Sequence, residues 1–345
     1  MKINTFKKYL LYVVLASSSV VTSSCDNSDD NEPKGAYEHG VFITNEGQFR
    51  HTNAEVSFLS KDSKTLIPEL FKEVNDRPLG DAAQSMTFIG DRAYIAVNNS
   101  KKIEVVDANT FVSKGVINGL EIPRYIAALS SDKAYVTEYV GYEGAGRVSV
   151  LNLSTNTVTK TITVGFLPEG LLLYNGKLYV ANGGDNTISV INTTTDVVES
   201  TITVGEAPQH LVLDANNKIW VLRGGYSSPG ALIKIDPANN NSLTTYNFPE
   251  GTSGAGQLTL NGAKNTLYYS YSGKVYSMST AATSAPTAAL INRSAYGLGV
   301  DPETNTIYLG AGGYTTNGWA VRYQPTGTVI DSFQVRVLPN GFSFR

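Results

Sequence analysis

The chain is poor in the residues that cross-link proteins or hold metals. Among its 345 residues there is one cysteine, Cys25, so no internal disulfide can form. Three histidines beside that single thiol make a zinc site improbable. Charge is sparse and nearly balanced, with 27 basic and 30 acidic residues and a net charge of −3. No basic block is interleaved with aromatic residues, which excludes nucleic acid as a partner. Neither a GxSxG elbow nor an HExxH helix motif occurs. After the first two dozen residues there is no long apolar run, so no helix of the mature chain is expected to span a bilayer.

The start of the chain does carry a signal. Lys2, Lys7 and Lys8 precede an apolar stretch over residues 9–21, and small residues lead to Cys25. That order is a secretory leader, too short to be a comfortable membrane span. Thr22-Ser23-Ser24-Cys25 resembles a bacterial lipobox, with Thr22 where that motif prefers an aliphatic residue. The resemblance implies lipidation of Cys25 and attachment through acyl chains alone. The following DNSDDNEPKG is acidic and aperiodic, a tether. It resembles the export tag of outer-membrane lipoproteins that face the cell exterior. The expected organisation is a signal peptide over 1–24, a lipidated tether over 25–36 and a folded domain over 37–345.

What fills that domain is repetition. ITVG stands at residues 162–165 and again at 202–205. Around it recur VFITNEG, AYIAVNN, AYVTEYV, LYVANGG, IWVLRGG, LYYSYSG and IYLGAGG, anchored on Phe42, Tyr94, Tyr135, Tyr179, Trp220, Tyr268 and Tyr308. The intervals are 52, 41, 44, 41, 48 and 40 residues. A second series reads VSFLS, IEVVD, VSVLN, ISVIN, LIKID, VYSMS and AVRYQ. Short β-rich runs at this period, separated by turn clusters, are the mark of propeller blades. The anchoring aromatics read as packing between blades rather than as site residues.

A third series settles how the ring closes. Its copies are SMTFI, YIAAL, GLLLY, HLVLD, QLTLN, GLGVD and, at residues 341–345, GFSFR. The last copy has no strand after it, and the unit of Phe42 has none before it. The count works if the C-terminal strand supplies the inner strand of the first blade, which also hides open sheet edges. The expected fold is all-β: a seven-bladed β-propeller of four-stranded antiparallel blades, closed by the C-terminal strand on the N-terminal blade.

In such a ring one face carries the connections GDRA, SDKA, NGKL, ANNK and PETNT, plain polar turns. The other face carries longer loops: EGQFRHTNA, EYVGYEGAGR, RGGYSSPG and AGGYTTNGWA. Long aromatic loops on a rigid frame suit binding. The expected ligand-binding set on that face is Phe49, Arg50, Asp81, Gln84, Arg124, Tyr125, Tyr139, Tyr142, His210, Arg223, Tyr226, Tyr296, Tyr314 and Trp319. His51 and Arg147 stand on the same loops, and Glu169, Gln209, Gln257 and Asn340 at the approaches to inner strands. No catalytic residue and no metal ligand is expected. Paired carboxylates could be drawn from Asp81, Glu138 and Glu169, and His210 has no sequence-near acid to orient it.

Strands and turns such as YVAN and TVG resemble the YVTN-type, YncE-like propeller repeats. NEGQF, LGDAAQSM, VNNS, PRYI and KAYVT are similar to the propellers of unknown function that include the cobalamin-binding surface lipoprotein BtuG. Asn45, Glu46, Gln48, Gly80, Asp81, Gln84, Asn98, Asn99, Arg124 and Tyr125 stand at positions of that family. The resemblance implies a non-catalytic surface lipoprotein. It would capture an amphipathic nutrient, cobalamin or another corrinoid, for a TonB-dependent transporter, with no resident cofactor. Arg124 and Arg223 would then meet amides or a phosphate of the ligand. Two other readings stay open: a surface adhesion or interaction scaffold, and a propeller enzyme such as a lactonase or lyase working through Glu169 or His210.

Overall fold

The computed structural model describes residues 35–225, 228–249 and 254–345. The leader, Cys25 and nearly all of the tether lie outside the described residues, as does Tyr226. Seven antiparallel sheets follow one another along the chain. In the first blade Gly40–Asn45, Glu55–Ser60 and Leu66–Ile67 run outwards from the axis. The second blade is Ala83–Ile89, Arg92–Val97, Lys102–Asp107 and Ser113–Ile117. The third is Ile122–Ala128, Lys133–Tyr139, Ala145–Asn152 and Thr157–Phe166. The fourth is Pro168–Tyr174, Lys177–Asn182, Thr187–Asn192 and Val197–Thr203. The fifth is Pro208–Leu213, Ile219–Arg223, Ala231–Asp236 and Ser242–Asn247. The sixth has Ala255–Leu260, Thr266–Tyr271 and Lys274–Ser279. The seventh is Gly297–Val300, Ile307–Ala311, Asn317–Tyr323 and Val329–Val337.

Closure is as the count of strands requires. Pro339–Phe344 pairs antiparallel with Gly40–Asn45, placing Phe344 opposite Val41, Ser343 opposite Phe42 and Phe342 opposite Ile43. The tail also reaches its neighbours. Ser343 Oγ donates to the Met86 carbonyl at 3.2 Å, and Arg345 donates to the Ala108 carbonyl at 2.6 Å.

Second strands are buried along nearly their whole length because each faces two blades. The anchors alternate with the residues that meet the preceding blade. Phe42 packs with Ala93, Ile95 and Val97 of the second blade, and Tyr94 with Ala134 and Val136 of the third. The pattern runs round the ring to Tyr308, which packs with Val41 and Ile43. A strand covered on both sides shows a continuous apolar run instead of alternation. All seven anchors are buried, in keeping with a packing role.

One blade departs from the four-strand expectation. In the sixth, the place of the outer strand is taken by a single bridge between Val275 and Ile291. The stretch TAATSAPTAALI before it is rich in small residues and holds Pro286, which cannot donate to a ladder. The one α-helix among the described residues, Leu70–Asn75, hangs from the first blade. Buried Glu55 accepts from the amides of Phe71 and Lys72 at its first turn, at 2.8 and 3.2 Å. No helix among the described residues is long and apolar enough to cross a membrane.

Candidate functional site

Six of the seven inner strands share an irregularity where they enter the ring. Pairing slips between Ala83 and Ser85, Pro123 and Ile126, Pro168 and Leu171, Pro208 and His210, and Ala255 and Leu258. It slips again where Pro339 and Gly341 of the closing strand face Asn45 and Thr44. Each slip is a bulge, with an extra residue on the inner strand. A bulge twists its strand and re-aims a side chain. The residues re-aimed include Gln84, Arg124, Tyr125, Glu169, Gln209, Gln257 and Asn340. Just before four of these bulges Ala82, Leu167, Ala207 and Leu338 hold left-handed φ values of 62°, 46°, 53° and 53°. Each such non-glycine residue costs on the order of 1 kcal/mol or more, and strain of this kind gathers at functional sites.

The bulges converge on a cavity of about 230 Å³ at the axis, completed by Glu46 and Tyr296. A second cavity of about 200 Å³ lies against it and shares Gln84, Tyr125, His210, Gln257 and Asn340. Together they form the mouth and upper throat of an axial channel. Inner strands approach closely here: a Cβ on Gly170 would sit 2.6 Å from the Gln209 carbonyl oxygen, so this position needs glycine.

One ion pair dominates the mouth. Arg124 donates through Nε and Nη2 to both oxygens of Glu169 at 2.9 to 3.1 Å, and through Nη1 to Gln84 Oε1 at 2.5 Å. Its guanidinium lies 4.7 Å from the Tyr139 ring centroid. The Tyr139 hydroxyl donates to Glu169, and Gln84 Nε2 donates to the Tyr125 hydroxyl at 3.2 Å. Burial works against the Arg124 charge, but Glu169 and the two phenols hold the guanidinium protonated. Burial and the Glu169 carboxylate push the Tyr125 phenol up to about 12. Across the axis the Tyr296 hydroxyl donates to Glu46 Oε2 at 2.5 Å. Burial raises the Glu46 carboxyl, with Asp81 and Glu169 adding to the rise and Tyr296 and Arg124 opposing it.

Exposed aromatics stand on the long loops and, at Trp319, on the third strand of the seventh blade. Tyr314 is 70% exposed, Tyr142 65%, Phe49 54% and Trp319 41%. Two of them connect inward. Tyr314 packs edge-on against Tyr296 at 6.2 Å, and Tyr142 against Tyr139 at 6.2 Å. Each pair joins a rim ring to a phenol that holds a mouth carboxylate.

The structure thus brings Gln84, Arg124, Tyr125, His210 and Tyr296 together, with Tyr139 behind Glu169. It keeps Phe49, Arg50, Tyr142 and Tyr314 on the outer loops, while Trp319, expected on a loop, is paired within the third strand of the seventh blade, Asn317–Tyr323. Asp81 is buried and faces elsewhere: both its oxygens accept from the Arg50 amide, and Oδ2 also accepts from Asn99 at 2.5 Å. It ties two loops together. Arg223 donates to Ser228 Oγ at 3.3 Å and does not line the mouth. Glu138 is buried and used by Arg147, Ser149 and the Glu121 amide. Of the candidate acids only Glu169 reaches the axis, and its companion there is Glu46. Glu169, Gln209, Gln257 and Asn340 belong to the mouth as much as the expected set does. Four bulges carry a sequence signal in IPR, LPE, APQ and LPN, a proline followed by the re-aimed residue.

His210 is displaced toward its neutral form. Burial lowers its pKa to about 4, with Arg124 adding and Glu169 opposing. No hydrogen bond to its ring occurs among the described residues, and it meets Tyr125 edge-on at 5.5 Å. Between pH 6.5 and 4 the unfolded chain binds this proton and the folded one does not, so stability falls as pH falls. The gap is worth at most about 3 kcal/mol, and about 1–2 kcal/mol with one ring edge open to the cavity. Urea unfolding at pH 7 and pH 4.5 is expected to show this loss, and His210→Gln is expected to remove that part of it. An equal pH dependence in the variant would assign the effect to other groups.

No match was found among curated proteins. Solved structures of similar fold include a quinoprotein alcohol dehydrogenase-like protein from Bacteroides thetaiotaomicron. It has a TM-score of 0.68 and 13% identity, over 89% of this chain and 78% of that one. The periplasmic gluconolactonase of Pseudomonas aeruginosa gives 0.68 and 13%, over 89% and 98%. Hydrazine synthase of Kuenenia stuttgartiensis gives 0.60 and 14%, over 75% and 88%. At such identities the likeness is one of fold. The sequence itself matches one family across residues 39–337, nearly the whole ring with its mouth and rim, and the chain therefore belongs to the family described as domain of unknown function DUF5074.

Proposed function

We propose that this propeller is a non-catalytic binding protein that captures an amphipathic ligand on its loop-bearing face. The observation that carries this reading is the exposed Phe49, Tyr142, Tyr314 and Trp319, two of which, Tyr142 and Tyr314, pack on phenols that hold the carboxylates of a polar mouth. Rigid rings over a preorganised frame lose little entropy on binding. The saturated state of Glu169 also favours it. Held by Arg124 and Tyr139, that carboxylate is poorly placed to take up a proton.

The ligand we favour is a corrinoid of the cobalamin kind, a flat macrocycle edged with polar side chains. Its body would lie across the rim and a side group would enter the mouth. With the lipid anchor expected at Cys25, the protein would hold this ligand at the outer membrane for a TonB-dependent transporter. Arg124 enters this reading differently from the sequence expectation. Its guanidinium is already engaged by Glu169 and Gln84 within the chain, so Glu169 competes with a ligand phosphate for it.

Calorimetric titration with cyanocobalamin tests the reading. Binding at micromolar ligand or tighter is expected, and Tyr142→Ala, Tyr314→Ala and Trp319→Ala are each expected to weaken it roughly tenfold, the worth of one ring contact. No heat and no thermal shift would remove the corrinoid. Turnover of a lactone, abolished by Glu169→Gln or His210→Ala, would establish the enzyme instead. Retention on a surface protein without small-molecule binding would establish the scaffold.

A further inference from the structure

We infer that the mouth of the axial channel is a subsite for a non-anionic group rich in N–H donors, a primary carboxamide or an ammonium, and that it rejects phosphate and carboxylate. This deepens the ligand-capture reading and rests on it only in taking the loop-bearing face as the one that binds.

The inference follows from which atoms at the mouth are already used. Arg124 is the one cation lining the cavity, and its guanidinium is engaged by Glu169 and Gln84. Gln84 is engaged at both ends, by Arg124 and Tyr125. Tyr125, Gln209 and His210 keep donor capacity, and three oxygens are left over as acceptors. Glu46 uses Oε2 for Tyr296 and leaves Oε1 without a partner among the described residues. Gln257 donates through Nε2 to the Tyr296 carbonyl at 3.3 Å and leaves Oε1 free.

Asn340 supplies an independent observation. It is only 8% exposed, and its Nδ2 donates to the carbonyls of Ala83 and Gln84 at 2.9 and 3.2 Å. Both partners can only accept, which fixes the orientation of the amide. Its buried Oδ1 is left with no partner, in a residue that lines both cavities. A buried unpaired acceptor is costly unless something donates to it.

Charge points the same way. Two carboxylates, Glu46 and Glu169, face one guanidinium across the cavity. An incoming anion would meet a surplus of negative charge, while an ammonium or amide would meet three waiting oxygens.

The chain's three histidines, His39, His51 and His210, make the test direct, because only His210 lines the mouth. Its imidazole resonances, assigned through His210→Gln, can be followed while the protein is titrated with propionamide, propylammonium, propionate and inorganic phosphate. Saturable shifts are expected with the first two probes and none with the anions. In Glu46→Gln the propylammonium response is expected to weaken roughly tenfold, the loss of one charge-assisted contact. Saturation by propionate or phosphate would overturn the assignment, and so would silence toward both donor probes. A parallel titration with cyanocobalamin separates the two readings. Failure of the corrinoid alone leaves the subsite standing, and corrinoid binding with silent donor probes removes only the subsite.

Discussion

Deleting residues 341–345 abolishes cooperative unfolding, or lowers the melting midpoint by well over 10 °C, if the ring is closed as described. These five residues are the last strand to join the first blade. The Gly40 and Arg345 backbones exchange two hydrogen bonds, at 3.1 and 3.0 Å. Phe342 and Phe344 pack on Tyr308 of the seventh blade at 5.6 and 5.3 Å. Each lost ladder bond is worth about 1 kcal/mol, and each half-buried ring about 1–2 kcal/mol. The sum is on the order of 5 kcal/mol, comparable with the net stability of a whole domain. Removing the tail also opens the inner edge of the first blade, an aggregation hazard. Scanning calorimetry and elution volume read the outcome, with Arg345→Ala as a control that keeps the strand. A midpoint within about 2 °C of the parent would refute closure by this strand.

Arg124→Ala is the second large effect, with a loss of about 3–5 kcal/mol in urea unfolding. The substitution leaves the Glu169 carboxylate at a half-closed mouth with Tyr139 as its remaining side-chain partner, and leaves Gln84 Oε1 unpaired. Glu169→Ala is expected to cost a similar amount by stranding the guanidinium. The double variant Arg124→Met, Glu169→Leu is expected to lie much nearer the parent, because both charges leave together. The non-additivity is the decisive readout. A loss below about 1 kcal/mol in the single variant would mean that the pair behaves as a solvated surface bridge.

The architecture was legible because it is written in short-range signals. The aromatic anchors recur at blade intervals, and the leftover strand at each end of the count told how the ring shuts. The sixth blade is reduced at its outer edge for a physical reason. TAATSAPTAALI has the spacing for a fourth strand, but small residues and Pro286 do not make a ladder. Asp81, one of the expected set, holds the Arg50 amide and Asn99. A carboxylate in a loop reads alike in both roles until the loops are brought together.

The site divides along the same line. Which loops are long, which are aromatic and on which face they stand follow from spacing and alternation along the chain, so Tyr142 and Tyr314 read from the chain as exposed loop aromatics. Which residues turn into the channel does not follow from spacing, because a bulge is a mismatch between two paired strands. Nor does the spending of Arg124 on Glu169, 45 residues away, since the fourth blade brings that carboxylate against the third. Local periodicity dictates a wheel and its decorated rim. Hydrogen-bond partners across blades dictate which polar atoms at the hub remain free to meet a ligand.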